Sequence, residues 1–429
     1  MESGSKQLPD IETLGSVPPD TASMRPWHAV VVAGVGLALV VTIFMHSDGG
    51  TDPPMPVVPL RLAQWPQDAS TTIDHASPIE FVATAAPRAH GAEQIEMCGI
   101  GWIDVKADGN VDDAALQSAP AFQSARRRLL EAMRVAPDEF SRAAASWLDP
   151  SDDGLVKRAL STTDPRVYAL AFRACVNQPE RGACAMLNAA RWAQIDEGNA
   201  SPWLFVLDEA ARRNDEAAVA DALFHIASAR RFDDRYFASA GAIEARVGSL
   251  DIDTSAALVL SIETMGMAAA QSAPLPAVMQ ACRGAAIGDA NRRQLCEGAA
   301  EAMAERSDSL ILRQIGIGMG RRLGWREERV DAMAGEISAW MNADPSSAFD
   351  EQTSSCTGMK KLLRRFARQA SIGEVDFMHE WAAKTGRSRE SFAQAGRDAR
   401  LRGEAAQAAA VREAAAAGLR TVASSSAPR

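Results

Sequence analysis

Residues 202–227, PWLFVLDEAARRNDEAAVADALFHIA, contain the pattern that decides the fold. Pro202 suits the first turn of a helix, and Asn214-Asp215 later interrupts the apolar spacing. Apolar residues recur at helical intervals on both sides of that break. Two amphipathic helices joined by so short a turn pack antiparallel, so the sequence predicts a helical hairpin. The predicted packing faces are Trp203, Val206, Leu207 and Ala210 on the first helix, and Ala220, Leu223, Phe224 and Ala227 on the second.

The same helical spacing continues along most of the chain after residue 112. Aromatic residues make up only 6% of the sequence, which favours closely packed helices over sheets. Only residues 95–105, IEMCGIGWIDV, are typical of a strand or extended chain. We therefore expect an all-α fold of antiparallel stacked helical hairpins, an irregular α-solenoid. Predicted helices cover 112–134, a segment after Pro137, a segment after Asp164-Pro165, 254–270, 291–305, 309–323, 327–341 and 404–419.

The hairpin segment 195–229 resembles a tetratricopeptide-type repeat. The residues that stand where that repeat places packing residues are Leu207, Ala220, Phe224 and Ala227. Asp208 replaces the small residue that the repeat prefers. Over residues 164–324 the chain also resembles a group of functionally uncharacterised, membrane-anchored proteobacterial proteins. The resemblance implies a helical-hairpin fold and carries no catalytic residues. The matching segments are DPRVYALAFRAC, RWAQIDEGNASPWL and RRQLCEGAAEAM.

An uncharged apolar stretch, AVVVAGVGLALVVTIFM at residues 29–45, precedes all of these helices. With its flanks it predicts a transmembrane helix over 27–46, because about 20 apolar residues cross a bilayer. A cleaved signal peptide is the alternative, but no small-x-small cleavage pattern follows the stretch. Arg25 lies just before the span, and the next basic residue is Arg61. This asymmetry predicts that the N-terminus lies inside and the C-terminal part outside. Together with the resemblance to proteobacterial proteins, it implies a bacterial inner-membrane protein that has a cytoplasmic N-terminus and a periplasmic C-terminal part.

The remaining boundaries follow from composition. Residues 1–26 are polar and predicted to be a disordered cytoplasmic tail. Residues 47–91 are rich in proline, which opposes helix formation and predicts an extended linker. The α-helical periplasmic domain is expected over 92–420, and a disordered tail over 421–429.

The six cysteines are Cys98, Cys175, Cys184, Cys282, Cys296 and Cys356. None forms a C-x-x-C pair, which makes a zinc or thioredoxin-like site improbable. Their even number on the predicted outer side suits disulfides in an oxidising compartment. Spacing favours Cys175 with Cys184 and Cys282 with Cys296, which leaves Cys98 for Cys356. Buried reduced cysteines are the alternative.

No local motif predicts a catalytic residue, a cofactor or a metal ion. The net charge of -10 argues against nucleic acid as a partner. The best interaction candidate is a basic stripe at helical spacing, Lys360, Lys361, Arg364, Arg365 and Arg368. Such a stripe could meet an anionic partner or the membrane surface, or could be the solvated face of a packed helix.

The predicted function is that of a membrane-anchored periplasmic scaffold or adaptor, which binds a protein or peptide partner in a groove between helices. The alternative is an envelope enzyme, for example a cell-wall glycan hydrolase, whose acids come from distant positions. A pocket containing two carboxylates about 5 to 10 Å apart with raised pKa values would favour the enzyme. A helical groove without such acids would favour the scaffold.

The topology has a direct test. Alkaline phosphatase fused after Arg429 should be active, because that enzyme matures only outside the cytoplasm. A well-expressed but inactive fusion would contradict the predicted orientation. The same fusion with residues 27–46 deleted serves as the control and should be inactive.

Overall fold

The computed structural model describes residues 94–104, 113–149, 154–176, 182–271, 274–343 and 355–425. These residues are mostly helical, so the predicted all-α class is confirmed. The first helices are α1 (Asp113–Ser118), α2 (Pro120–Arg134), α3 (Glu139–Leu148), α4 (Gly154–Ser161), α5 (Pro165–Cys175), α6 (Ala189–Ile195), α7 (Ser201–Arg212), α8 (Glu216–Ser228) and α9 (Ala238–Glu244). They are followed by α10 (Asp251–Ala270), α11 (Leu275–Ala281), α12 (Ala290–Arg306), α13 (Leu310–Arg322), α14 (Glu327–Ala343), α15 (Cys356–Ile372), α16 (Glu374–Lys384) and α17 (Arg389–Ser425).

Several predicted segments fall wholly or partly outside this range. The tail 1–26, the membrane span 27–46 and the linker 47–91 lie outside the described residues. Among the helices that are described, none is long and apolar enough to span a bilayer. Helix α17 continues to Ser425, beyond residue 420, where we expected a loose tail to begin.

Helix boundaries follow the capping residues in the sequence. Asp138 and Asp164 cap α3 and α5, and their carboxylates accept hydrogen bonds from the backbone N–H groups of Ser141 and Arg166. The single helix expected over 112–134 is instead divided into α1 and α2. Pro120 begins α2, and the residue before a proline is driven out of the helical conformation.

Strands β1 (Gln94–Met97) and β2 (Gly101–Asp104) form an antiparallel hairpin in the predicted extended segment. Its turn lies on the N-terminus of α10. Gly99 has a φ of +69°, and a Cβ atom there would come within 2.4 Å of the Ile252 nitrogen. Glycine is therefore required for both the turn and the close approach.

Helices α7 and α8 form the predicted hairpin, but the buried face of α8 differs from the prediction. Phe224 is 56% exposed and packs edge-on to the ring of His225. The cause is that α8 contacts both α7 and α12, which shifts its buried stripe around the helix. The residues of α8 that are buried are Val219, Ala222, Leu223 and Ile226.

Close helix packing depends on small residues in α13. The segment Gly316-Ile317-Gly318-Met319-Gly320 could be mistaken for a phosphate loop, but it lies within a helix. A Cβ atom at Gly316 would lie 2.5 Å from the Ala304 nitrogen of α12, whereas one at Gly318 would meet nothing within 4 Å. Gly316 thus lets the two helix backbones approach each other.

The structure joins the six cysteines in the two pairs that spacing favoured and in the pair that was left over. Cys175–Cys184 and Cys282–Cys296 each connect neighbouring elements, with Cα–Cα distances of 5.4 and 5.5 Å. Cys98–Cys356 links the β-hairpin to α15 across 258 residues, with Cα atoms 4.7 Å apart. It fastens the N-terminal end of the described chain to its C-terminal helices.

The two glycines of α13 allow a matched test of this packing. Gly316→Ala should lower the free energy of unfolding by about 1–3 kcal/mol, because the added methyl group overlaps the α12 backbone. Gly318→Ala should be neutral, or stabilising by about 0.5–1 kcal/mol, because alanine is the better helix former. Denaturant unfolding measures both, and equal effects of the two changes would contradict the α12–α13 contact.

Candidate functional site

Four interhelical connections lie side by side and are joined by backbone hydrogen bonds. We call them the connector ladder: residues 196–200, 230–236, 306–309 and 373–375. The Ala200 N–H donates to the Arg231 carbonyl (3.0 Å), and the Phe232 N–H donates to the Arg306 carbonyl (3.1 Å). The Asp308 N–H donates back to the Phe232 carbonyl (3.0 Å), and the Glu374 N–H donates to the Asp308 carbonyl (3.1 Å).

One end of the ladder is held by a buried carboxylate. Asp196 is 1% exposed and accepts hydrogen bonds from the Trp192 indole (3.2 Å) and the Asn199 amide (2.8 Å). It also pairs with Arg231 and with Arg235, the latter at 3.0 Å. Burial alone would raise the pKa of Asp196, but Arg235, Asn199 and Arg231 outweigh it and hold the pKa below its usual range.

At the other end the connections enclose a cavity of about 660 Å³, which we call the acidic pocket. Its volume lies within the range of small-molecule sites. Helix α9, the C-terminal end of α15 and the first turns of α3 and α5 also line it. Its carboxyl-bearing residues are Asp138, Asp233, Asp234, Glu244, Asp308 and Glu374.

Three of these carboxyl groups are fixed by backbone N–H groups. Asp308 accepts from the Asp234 N–H (3.1 Å), Asp234 from the Tyr236 N–H (3.0 Å), and Glu374 from the Leu310 N–H (2.9 Å). Asp233 lines the same cavity. Within the described residues, no lysine or arginine forms a salt bridge with Asp234, Asp308 or Glu374.

The carboxyl groups of the pocket are difficult to ionise. Burial and the nearby acids Asp234 and Asp233 hold the pKa of Asp308 well above its usual value. Burial, assisted by Asp234, raises the pKa of Glu374 to about 7. The pKa of Asp234 is also raised by burial, although Arg173 opposes the shift. At neutral pH Glu374 is therefore partly protonated.

Three buried polar atoms of residues that line the pocket have no hydrogen-bond partner among the described residues. They are the Oε1 acceptor of Gln369, a residue only 4% exposed, the Nη1 donor of Arg235 and the Nε donor of Arg246. The other nitrogens of Arg235 are engaged, because Nε bonds Asp233 (3.1 Å) and Nη2 bonds Asp196. All three atoms are buried away from the open space of the cavity, and unpaired buried polar atoms cost stability.

The predicted basic stripe lies on α15, but its five residues do not share one solvent-exposed face. Lys361 and Arg364 are exposed. Lys360 pairs with Asp251 at 2.8 Å, and Arg368 pairs with Glu380 at 3.0 Å. Arg365 does not share their solvent face, because its guanidinium lies over the rings of Trp340 and Phe377, 5.3 and 5.7 Å from their centroids.

The pocket carboxylates do not form a metal site among the described residues. The one group of three ligand-type atoms found there within 4.8 Å of one another is Cys98, Asp251 and Cys356. Its two sulfur atoms are joined in a disulfide.

Sequence reasoning missed the acidic pocket. Asp233-Asp234, Asp308 and Glu374 occur at helix boundaries, where such residues usually cap helices or form turns. The only signal in the sequence was that acidic residues recur at helix boundaries. That pattern does not show which boundaries lie close together in the folded protein. Comparison with known proteins gives no match to a family model, a curated protein or a solved structure.

The raised pKa of Glu374 predicts a pH-dependent stability. The folded state holds this proton more tightly than the unfolded chain, whose glutamate pKa is about 4.5. Stability should therefore fall between about pH 4.5 and pH 7, by up to about 3 kcal/mol from this residue. Glu374→Gln should remove that part of the loss, as measured by urea unfolding across this range.

Glu197→Gln removes an exposed carboxyl group and controls for the change in net charge. An unchanged pH dependence in Glu374→Gln would contradict the assignment to Glu374. If Glu374→Gln and Glu197→Gln changed the pH dependence of stability equally, the effect would come from the change in net charge.

Proposed function

We propose that this chain is a binding protein of the bacterial cell envelope, anchored by residues 27–46 and facing the periplasm. Its helical domain belongs, in this proposal, to the tetratricopeptide-like class of irregular α-solenoids. Its role is to bind a protein or peptide partner at the acidic pocket. The binding role is favoured by one observation, the cavity of about 660 Å³ at which connections from distant parts of the chain meet.

The solenoid assignment is supported by the way successive helices pack. Helix α7 packs on α8, and α8 packs on α12. Helix α12 packs on α13, which in turn packs on α14. Connections from successive helix pairs meet in the connector ladder. Stacked pairs of this kind present their connecting segments together, where a partner can reach several of them at once.

Two independent features support the envelope location: the apolar stretch with its basic flank, and the disulfide bonds. The apolar stretch 29–45 is long enough for a bilayer, and its basic flank lies on the N-terminal side. All six cysteines follow that stretch and are paired in the structure. Stable disulfides are typical of oxidising compartments such as the periplasm.

A second candidate function is hydrolysis. Glu374, with a pKa of about 7, has the property of a general acid or base at neutral pH. Asp308 lines the same cavity, and burial together with Asp234 and Asp233 raises its pKa as well. Two acids with raised pKa values in one cavity are the feature expected of a hydrolase site.

Site-specific crosslinking tests the binding proposal. A photoreactive residue in place of Ala245, an exposed residue on the pocket wall, should capture the partner in native membranes. The same group in place of Ala217, an exposed residue of α8 away from the pocket, serves as the matched control. Capture from Ala245 but not from Ala217 is expected, and equal capture would contradict a role for the pocket.

Incubating the purified protein with peptides or cell-wall fragments distinguishes the two candidates. Cleavage that is lost in Asp308→Asn would establish hydrolysis. Crosslinking without cleavage is the outcome expected of a binding protein.

A further inference from the structure

We infer that a second cavity, among the C-terminal helices, binds the carboxylate and ammonium groups of a free α-amino acid. This cavity, which we call the C-terminal cavity, has a volume of about 580 Å³, within the range of small-molecule sites. Helices α12, α13, α14 and α16 and the first residue of α17 line it. It shares no lining residue with the acidic pocket, so the inference is independent of the proposed function.

Most charged residues of the C-terminal cavity already have a partner of opposite charge. Arg329 pairs with Glu305. Arg389 and His379 both contact Glu336, at 3.0 and 3.2 Å. Two charged residues of the lining, one basic and one acidic, form no salt bridge with any residue that the structure describes.

The basic exception is Arg313. Its Nε donates to the Ser307 carbonyl (2.9 Å) and its Nη2 to the Glu305 carbonyl (3.1 Å), which together fix the plane of the guanidinium. Its Nη1 has no hydrogen-bond partner in the described part of the chain. Nη1 is also not one of the buried unpaired atoms, so it keeps surface that a ligand can reach. A carboxylate is the acceptor that binds a guanidinium most strongly.

The acidic exception is Asp376, an exposed residue in the first turn of α16. Asp376 and Arg313 attract each other, but no salt bridge joins them. A ligand ammonium group would supply the cation that Asp376 lacks. A ligand that carries an ammonium group beside its carboxylate therefore pairs both residues. A simple anion would pair Arg313 alone and would be repelled by Asp376.

The other lining residues suit the side chain of an apolar amino acid. They are Ala304, Ile317, Ala332, Met333, Ile337 and Met378. Small-molecule sites typically combine such apolar walls with a few polar groups that fix the orientation of the ligand. We therefore choose leucine as the probe.

Calorimetry on the full-length protein in detergent tests the inference with leucine, leucinamide and N-acetylleucine. Leucinamide lacks the carboxylate, and N-acetylleucine lacks the ammonium group. Leucine should bind with a Kd lower by about tenfold or more than that of either derivative, because each derivative loses one charged hydrogen-bonding partner.

Two variants assign these preferences to their residues. Asp376→Asn should bind leucine and N-acetylleucine equally, because the ammonium group has lost its partner. Arg313→Gln should likewise bind leucine and leucinamide equally. Each comparison is made between two ligands on the same variant, so a smaller folded fraction affects both ligands alike. Glu390→Gln removes an exposed acid from the first turn of α17, outside the cavity lining, and should keep the wild-type preferences.

Three results would each overturn the inference. The first is no binding of leucine to the unchanged protein. The second is that N-acetylleucine or leucinamide binds as tightly as leucine; for N-acetylleucine, the site would then recognise a carboxylate alone, such as a peptide C-terminus. The third is that Asp376→Asn keeps the wild-type preference for leucine over N-acetylleucine, which would place the ligand elsewhere on the protein.

Discussion

The structure depends on the backbone hydrogen bonds that join four interhelical connections. Helices separated by long stretches of sequence can pack in several registers, because apolar faces are not directional. Hydrogen bonds between their connections are directional and remove that freedom. The bonds between Phe232 and Arg306, and between Glu374 and Asp308, fix α9, α13 and α16 relative to one another. The Cys98–Cys356 bond adds a covalent link between the ends of the described domain.

The ladder also explains why its two ends differ in charge state. Around Asp196 each carboxylate oxygen meets an arginine or an amide, so the buried acid stays ionised. Around Asp308 and Glu374 the hydrogen-bond donors are backbone N–H groups, and burial outweighs the attraction of nearby arginines such as Arg365. Buried acids without a direct ion pair lower stability. A protein that retains them, together with an open cavity, has the features expected of a functional site.

Sequence reasoning predicted local structure better than the site. Asp138 and Asp164 marked helix starts correctly because capping is a local interaction. The short spacing of Cys175 and Cys184 likewise favoured their pairing. Phe224 was placed on the wrong face because its exposure depends on α12, which is distant in sequence. The acidic pocket was missed for the same reason, since Asp234, Asp308 and Glu374 meet only through tertiary packing.

The most direct test of the central claim is a carbon-13 NMR titration of the side-chain carboxyl groups, with Glu374→Gln and Asp308→Asn used to assign the signals. Glu374 should titrate near pH 7 and Asp308 well above the usual aspartate range. Both signals titrating at about pH 4 would contradict the account, because the connections would then not enclose a buried acidic pocket.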